Sequence, residues 1–294
     1  MAAVMRPRRS VLFMPGSNAR AMEKAKTLPA DALIFDLEDA VAPDAKASAR
    51  QHVCDTVRAG GYGPRELIVR VNALDTPWGR EDLKAVATCG ADAVLVPKVE
   101  RAERIRQSSS ILALSGASEA LALWCMIETP VGVLRAEDVA RADSRVAALV
   151  MGTSDLTKDL HALHTHDRLP LLHSLGHVLL VGRAYGLTVL DGVHLDLRDD
   201  EGFAAACQQA VELGFDGKTL IHPKTLAVAN EAFSPSPDEV AWACCVIAAH
   251  AEATAKGHGV VLVDGQLIEN LHVEHAQRLV QIADTIAQMT DAVV

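Results

Sequence analysis

The amino-acid sequence predicts an α/β fold, a (β/α)8 TIM barrel with a helical extension at its C-terminal end. Short apolar runs alternate with longer amphipathic runs along most of the 294 residues. The short runs are apolar on both faces, which is typical of parallel strands covered by helices. Eight such units favour a closed barrel over an open doubly wound sheet, and the length suits a barrel of about 250 residues with an addition.

The eight apolar runs are the predicted strands, and the amphipathic segments between them are the predicted helices. The strands are Ser10–Met14, Ala32–Asp36, Leu67–Val71, Ala93–Val96, Ala122–Ile127, Ala147–Met151, Leu187–Leu190 and Phe215–Ile221. The helices include Asn18–Leu28, Asp44–Ala59, Gly79–Thr88, Val131–Ala140, Leu171–Tyr185 and Glu201–Leu213. An open dinucleotide-binding sheet would need a G-x-G-x-x-G fingerprint after its first strand, and the segment Phe13–Asn18 lacks it.

The barrel pattern ends near Phe233, where the segment Ser234–Pro237 carries two prolines that exclude a helix. We therefore predict a barrel domain over residues 1–233 and a C-terminal helical extension over residues 234–294. The extension contains a long alanine-rich helix, a Gly/Val segment from Gly257 to Gly265, and a last helix. We expect it to act as a lid or as an oligomer arm.

Composition and charge exclude several classes of protein. The net charge of −10 argues against a general nucleic-acid or anionic-membrane binder. Aromatic residues make up only 3% of the chain, too few for a base-stacking surface. Apolar stretches stay well short of the ~20 residues that cross a membrane, and the N-terminus does not resemble a secretory signal. We expect a cytoplasmic enzyme without nucleic-acid or membrane partners.

Charged side chains follow several predicted strands at their C-terminal ends, where (β/α)8 enzymes place their chemistry. They are Asp36, Glu38, Asp39, Arg70, Lys98, Glu128, Asp155 and Asp191. A single residue of this kind can be a helix N-cap, and Asp39 or Asp155 could have that role. Several carboxylates close together would repel one another, unless cations such as Arg70 and Lys98 offset them.

A divalent metal ion accounts for this group of carboxylates most economically. Mg2+ prefers oxygen ligands and usually keeps several waters, which leaves positions for substrate oxygens. Glu128 and Asp155 follow adjacent strands, and we select them as the ligands. Lys98 as a Schiff-base lysine is an alternative, although a metal ion would make it superfluous.

The motifs, taken in order, resemble the HpcH/HpaI aldolase–citrate lyase β-subunit family. The resemblance rests on Arg9–Gly16 with Arg20 and Lys24, Ala30–Val41, Arg70–Asn72, Pro97–Lys98, Ile127–Thr129, Gly214–Lys218 with Ile221–Pro223, and Phe233–Ser236. It extends to Asp264–Gly265 and so covers nearly the whole chain. It implies a Mg2+-dependent carbon–carbon lyase, with Mn2+ able to replace Mg2+. The substrate would be a 3-hydroxyacyl-CoA ester such as malyl-CoA or citramalyl-CoA, and the products an acyl-CoA and a 2-oxo acid.

The same resemblance implies roles for the residues that match. Glu128 and Asp155 are expected to bind the metal, and Arg70 to orient a substrate oxygen. Glu38 and Asp39 are expected to order a metal-bound water or Arg70. The expected CoA site includes Phe13, Arg20 and Lys24. The resemblance also implies a homo-oligomer, either a trimer or a hexamer.

One position departs from the family pattern. Family members commonly read Asp-Gly-Lys-Met-Ile-Asp near the C-terminus, whereas this chain has Glu269 as the last residue of that segment. The resemblance implies an acid–base role for this carboxylate on the acyl-CoA. Because the side chain is one methylene longer, its placement would differ, and a misplaced base can cost ~100-fold in rate.

Three alternatives remain open at this point. The chain could be a citrate lyase β-subunit that acts on an acyl-carrier partner. It could also condense and then hydrolyse the thioester, as malate synthases and malyl-CoA thioesterases do. From a different class, it could be a catalytically silent CoA-ester-binding subunit.

Overall fold

The computed structural model describes residues 6–291, which form two compact units. One unit spans Arg8–Phe233, and the other contains the chain from Ser234 onward together with Arg6 and Pro7. Across the described residues no helix is both long and apolar enough to cross a membrane. The independence of the two units as domains, and the role of the second as a lid or arm, stay predictions.

The unit Arg8–Phe233 is a closed barrel of eight parallel strands paired in sequence order. The strands are β1 (Ser10–Pro15), β2 (Ala32–Asp36), β3 (Glu66–Arg70), β4 (Ala93–Val96), β5 (Ala122–Ile127), β6 (Val146–Met151), β7 (Thr188–Asp191) and β8 (Gly217–Leu220). The barrel closes where Ser10 to Leu12 pair with Lys218 to Leu220. The predicted fold class is therefore confirmed.

Helices follow the strands around the barrel. They are α1 (Ala19–Ala25), α2 (Lys46–Ala59), α3 (Gly79–Val86), α4 (Ala102–Leu114), α5 (Pro130–Leu134), α6 (Ala136–Ala140), α7 (Thr153–Asp159), α8 (Leu172–Ala184), α9 (Asp200–Leu213) and α10 (Leu226–Ala232). The single helix predicted over Val131–Ala140 is two short helices, broken at Arg135. The first contains Val131, Gly132 and Val133, residues with weak helix propensity, which explains the break.

The strands are buried on both faces because the barrel has two apolar layers. In β2, Ile34 belongs to the cluster inside the barrel, whereas Leu33 and Phe35 pack in the layer beneath the helices. This alternation follows from the two-residue period of a strand. The fully buried Trp124 belongs to the cluster inside the barrel. Gly217 permits close pairing because a Cβ there would overlap the Arg8 carbonyl.

A buried ion network holds β7, β8 and the loop before α8 together. Asp191 accepts a hydrogen bond from Lys218 Nζ at 2.5 Å and two from Arg168 Nη1 at 2.7 and 2.8 Å. Burial acts to raise the pKa of Asp191, but the Lys218 and Arg168 charges outweigh it and hold the pKa below its ordinary value. Asp191 is therefore a structural carboxylate that stays ionised.

The C-terminal unit has its own small core. It consists of α11 (Pro237–Ala255), the hairpin β9 (Val261–Val263) and β10 (Gln266–Ile268), and α12 (Asn270–Asp291). Its buried residues are Ala243, Val246, Ile268, Val273 and Ala276. The hairpin lies in the predicted Gly/Val segment and just beyond it, and its two-residue turn has positive φ at Asp264 and Gly265, as a type I′ turn requires.

Replacing Asp191 tests the buried ion network. We expect Asp191→Asn to lower the free energy of unfolding by about 3–5 kcal/mol at pH 7, because Lys218 then keeps a buried charge without its partner. The wild-type stabilisation exists above the unfolded pKa of about 3.9 and disappears as the pH falls through the lower folded pKa. The difference between the two proteins should thus shrink below about pH 4.

Urea unfolding at several pH values measures this effect. Asp138→Asn is the control, because Asp138 pairs with Arg141 on the exposed surface and should change the unfolding free energy little. Equal stability of Asp191→Asn and wild type at pH 7 would refute the role of the network.

Candidate active site

A cavity of about 430 Å³ lies at the C-terminal ends of the strands. Its lining combines charged and apolar side chains. They are Phe13, Pro15, Asp36, Asp39, Ala40, Arg70, Met126, Glu128, Met151, Gly152, Thr153, Ser154, Asp155, Val193, Leu195 and Ile221. This is the end of the barrel at which the fold places its chemistry.

Arg70 is fixed in this cavity by Asp36. The two residues end β3 and β2 and lie directly opposite each other in the strand register. Arg70 Nε and Nη2 each donate a hydrogen bond of 2.6 Å to one oxygen of Asp36. Asp36 also accepts hydrogen bonds from the backbone N–H groups of Glu38 and Ala40. Its carboxylate is therefore satisfied on both oxygens.

The electrostatics of this pair favour the charged forms. Burial acts to raise the pKa of Asp36, but the hydrogen bonds and charge of Arg70 outweigh it and hold the pKa below its ordinary value. The third guanidinium nitrogen, Nη1, lies 2.9 Å from Glu38 Oε2 and 3.5 Å from Asp39 Oδ2. The guanidinium also stacks over Phe13, 4.9 Å from the ring centroid. Arg70 thus presents a fixed positive charge to the cavity.

Lys98 is the second residue after β4 and contacts two acids. Its Nζ donates a hydrogen bond of 2.9 Å to Glu38 Oε1 and lies 3.4 Å from Asp155 Oδ2. Burial acts to lower the pKa of Lys98, but the hydrogen bond and charge of Glu38 outweigh it and raise the pKa above its ordinary value. Lys98 is therefore an ammonium ion at neutral pH, which argues against the Schiff-base alternative.

Glu128 follows β5 and has only 2% of its surface exposed. Its Oε1 accepts a hydrogen bond of 2.7 Å from the Lys98 backbone N–H. Burial raises the pKa of Glu128 to about 7, although the Lys98 charge acts in the opposite direction. A Cβ at Gly152 would lie 2.6 Å from Glu128 Oε2, so the backbone after β6 packs tightly against this carboxylate.

Asp155 lies in the first turn of α7, and 30% of its side chain is exposed. The N-cap of α7 is Gly152, so Asp155 does not cap the helix. Asp39 is more exposed and lines the same cavity. Glu38 is buried beneath them, and burial raises its pKa against the lowering effect of Arg70 and Lys98. The structure thus brings Arg70, Glu38, Asp39, Glu128 and Asp155 together.

The carboxylates of this cavity suit Mg2+ as ligands. In the part of the chain that the structure describes, no group of three or more His, Cys, Asp or Glu side chains is arranged to hold a metal. Mg2+ is often held by one or two carboxylates plus waters and substrate oxygens, and Glu128 and Asp155 supply two in one cavity. Burial raises the pKa of Glu128, and the charges of Lys98 and Arg70 offset this effect only in part. These observations fit a cation at this position.

The predicted CoA-contacting residues are divided between the cavity and the surface. Phe13 lines the cavity. Arg20 and Lys24 are exposed and lie four residues apart on α1, where they share one face of the helix. They do not line the cavity. Their role in binding CoA stays a prediction.

Glu269 lies in the other unit, between β10 and α12. Its side chain is exposed, and its backbone N–H donates a hydrogen bond of 3.0 Å to His272 Nδ1. Its predicted acid–base role stays a prediction. Asp36, in contrast, is a site residue for which the sequence suggested no separate role. Its position at a strand end was the only available signal.

A closed (β/α)8 barrel with charged side chains grouped at the C-terminal ends of its strands is the arrangement of a barrel enzyme. The chain belongs to the HpcH/HpaI aldolase/citrate lyase family, whose profile matches residues 9–223. The resemblance noted in the sequence is therefore confirmed.

Two relatives and one solved structure define the likeness further. The (3S)-malyl-CoA thioesterase of Cereibacter sphaeroides strain KD131 is 49% identical over 287 residues, 98% of each chain. The citrate lyase subunit beta of Leuconostoc mesenteroides subsp. cremoris is 36% identical over 95% of this chain and 94% of that protein. CitE from Mycobacterium tuberculosis, solved with magnesium, acetoacetate and coenzyme A, gives a TM-score of 0.76 at 30% identity. That match covers 95% of this chain and 100% of CitE.

Gly152→Ala tests whether the Glu128 carboxylate must keep its position. The added methyl group would overlap the Glu128 side chain, so the carboxylate must move while its chemistry is retained. We expect Mg2+ affinity to fall by at least about tenfold, which calorimetric titration measures, because the two carboxylates no longer suit one ion. Gly176→Ala is the control, since a Cβ there meets no atom within 4 Å. Unchanged Mg2+ affinity in Gly152→Ala would contradict Glu128 as a ligand.

Proposed function

We propose that the chain is a Mg2+-dependent carbon–carbon lyase that cleaves or forms a 3-hydroxyacyl-CoA ester such as malyl-CoA or citramalyl-CoA. The products of cleavage are an acyl-CoA and a 2-oxo acid. The observation that carries this proposal is the fixed charge of Arg70 in the same cavity as Glu128 and Asp155. Family membership and the magnesium and coenzyme A bound to M. tuberculosis CitE support it.

The reaction breaks the bond between C2 and C3 of the acyl chain. The hydroxyl oxygen loses its proton and becomes a carbonyl oxygen, and the electrons of the broken bond form the enolate of the thioester. Held by Glu128 and Asp155, Mg2+ would polarise the oxygen beside this bond. Arg70 places fixed positive charge where negative charge develops on oxygen, and the Asp36 pair prevents its reorientation.

Other residues hold the site in order. Glu38 contacts both Arg70 and Lys98, so it links these two cations. Asp39, at the exposed rim, is proposed to order water near Arg70. Phe13, Arg20 and Lys24 are proposed to contact CoA. The enolate carbon must finally gain a proton, and Glu269 is the proposed donor.

Thioester hydrolysis is the second candidate, because the 49% identical relative is named a thioesterase. Lysis of malyl-CoA gives acetyl-CoA and glyoxylate, whereas hydrolysis gives malate and free CoA. An assay that separates these products distinguishes the two reactions. Activity that requires an acyl-carrier protein would favour the citrate lyase subunit alternative, and binding without turnover would favour a silent subunit. The proposed trimer or hexamer can be tested by sedimentation.

The metal ligands are tested with the purified chain and malyl-CoA or citramalyl-CoA. We expect EDTA to abolish turnover, and Glu128→Gln or Asp155→Asn to lower kcat/KM by about 100-fold or more, because each removes a charged ligand. Asp159→Asn is the control. It removes a carboxylate from the same helix, α7, but one that does not line the cavity. Turnover that survives EDTA would refute the metal-dependent proposal.

Arg70→Lys tests whether a fixed guanidinium is required in addition to a positive charge. Lysine cannot reproduce the two parallel hydrogen bonds to Asp36 and remain directed at the cavity. We expect kcat to fall about 100-fold with a smaller change in KM, because the lost interaction forms mainly in the transition state. Steady-state kinetics with Mg2+ in excess provide the measurement. A rise in KM with kcat unchanged would show that Arg70 only binds the substrate.

A further inference from the structure

Lys98 has an unusual backbone conformation. Its φ of 48° lies in the left-handed region, which it shares with only three other described residues that are not glycine. Such a conformation costs free energy and persists where the surroundings enforce it. Here it accompanies the hydrogen bond from the Lys98 N–H to Glu128 Oε1. The backbone of Lys98 therefore fixes one of the two proposed metal ligands.

The side chain of Lys98 reaches the other ligand. Its ammonium lies between Glu38 Oε1 at 2.9 Å and Asp155 Oδ2 at 3.4 Å. One residue thus contacts three carboxylates that belong to the ends of different strands. Arg70, which also contacts Glu38, already binds both oxygens of Asp36.

Two lysines lie near Asp155, and Lys98 is the less exposed of the two. Lys158 Nζ also lies 3.6 Å from Asp155, but 69% of its side chain is exposed, so water screens its charge. The Lys98 ammonium is less exposed and faces the buried Glu38. A divalent ion on Glu128 and Asp155 would meet this ammonium as a like charge.

We propose that Lys98 is a positioning residue whose ammonium competes with Mg2+ for Asp155. In the metal-free protein it holds Glu38 and Asp155 together against their mutual repulsion. When the metal binds, the ammonium leaves Asp155 and keeps its shorter contact to Glu38. This inference rests on the metal site of the proposed function and adds that Lys98 lowers the affinity of that site for the free ion.

Titration calorimetry of the full chain with MgCl2, without substrate, tests the competition. Lys98→Met removes the charge but keeps the backbone N–H that binds Glu128. We expect the Kd for Mg2+ to fall about tenfold, since a unit charge at this distance no longer opposes the ion. Lys98→Arg keeps a charge and should stay near the wild-type Kd. Lys158→Met is the matched control, because it removes the exposed cation near Asp155. The Kd of this variant for Mg2+ should change less than about twofold.

Thermal unfolding provides a readout that is independent of both titration and activity. Metal-free Lys98→Met should melt below the wild type, because Glu38 and Asp155 lose their shared cation. Saturating Mg2+ should raise the Tm of the variant more than that of the wild type. If Lys98→Met does not fold, Lys98→Gln removes the same charge and serves in both measurements.

The outcomes separate this inference from the proposed function. A Kd in Lys98→Met that is equal to or higher than the wild-type value would overturn the competition alone. Absence of Mg2+ binding by the wild type would overturn both the metal site and the competition. The expected Kd changes, together with no turnover of CoA esters, would support the role of Lys98 and refute only the proposed reaction.

Discussion

The pairing of Arg70 with Asp36 is the interaction on which the rest of the site depends. The two side chains end neighbouring strands in direct register, so the backbone of the barrel sets their distance. Both are buried, and removing either would leave the other charge buried without its main partner. With two of its nitrogens bound to Asp36, the guanidinium directs the third toward Glu38. Glu38 then binds Lys98. The positions of Glu38 and Lys98 thus depend on the pairing of Arg70 with Asp36.

Asp191 and Glu128 are both buried carboxylates of this barrel, but their surroundings give them different roles. Asp191 contacts two cations, and its pKa lies below the ordinary value. Glu128 accepts one backbone hydrogen bond, and burial raises its pKa to about 7. The first carboxylate is fully compensated and holds strands together. The second is short of positive charge, which is the condition of a group that receives a metal ion or a proton.

The sequence predicted the barrel well because its signals are local. Apolar runs and their spacing placed all eight strands, and β2, β4 and β5 have the predicted bounds. Charged residues such as Glu128 and Arg70 were found because strand ends share one edge of the barrel. The partner of Arg70 was not assigned, since pairing depends on the register between strands. The hairpin of the extension was also missed, because its strands are only three residues long.

Lys98 shows most clearly what local sequence patterns leave undetermined. As a lysine after a strand it suggested either a counter-charge or a covalent nucleophile. Its left-handed backbone and its contacts with Glu38, Glu128 and Asp155 arise only when three other strand ends meet around it. The hydrogen bond and charge of Glu38, together with the charge of Glu128, raise the pKa of Lys98 and so remove its nucleophilic character. Lys98 is therefore better explained as a counter-charge than as a covalent nucleophile. The carboxylates around it need a positive charge, and they keep its amine protonated.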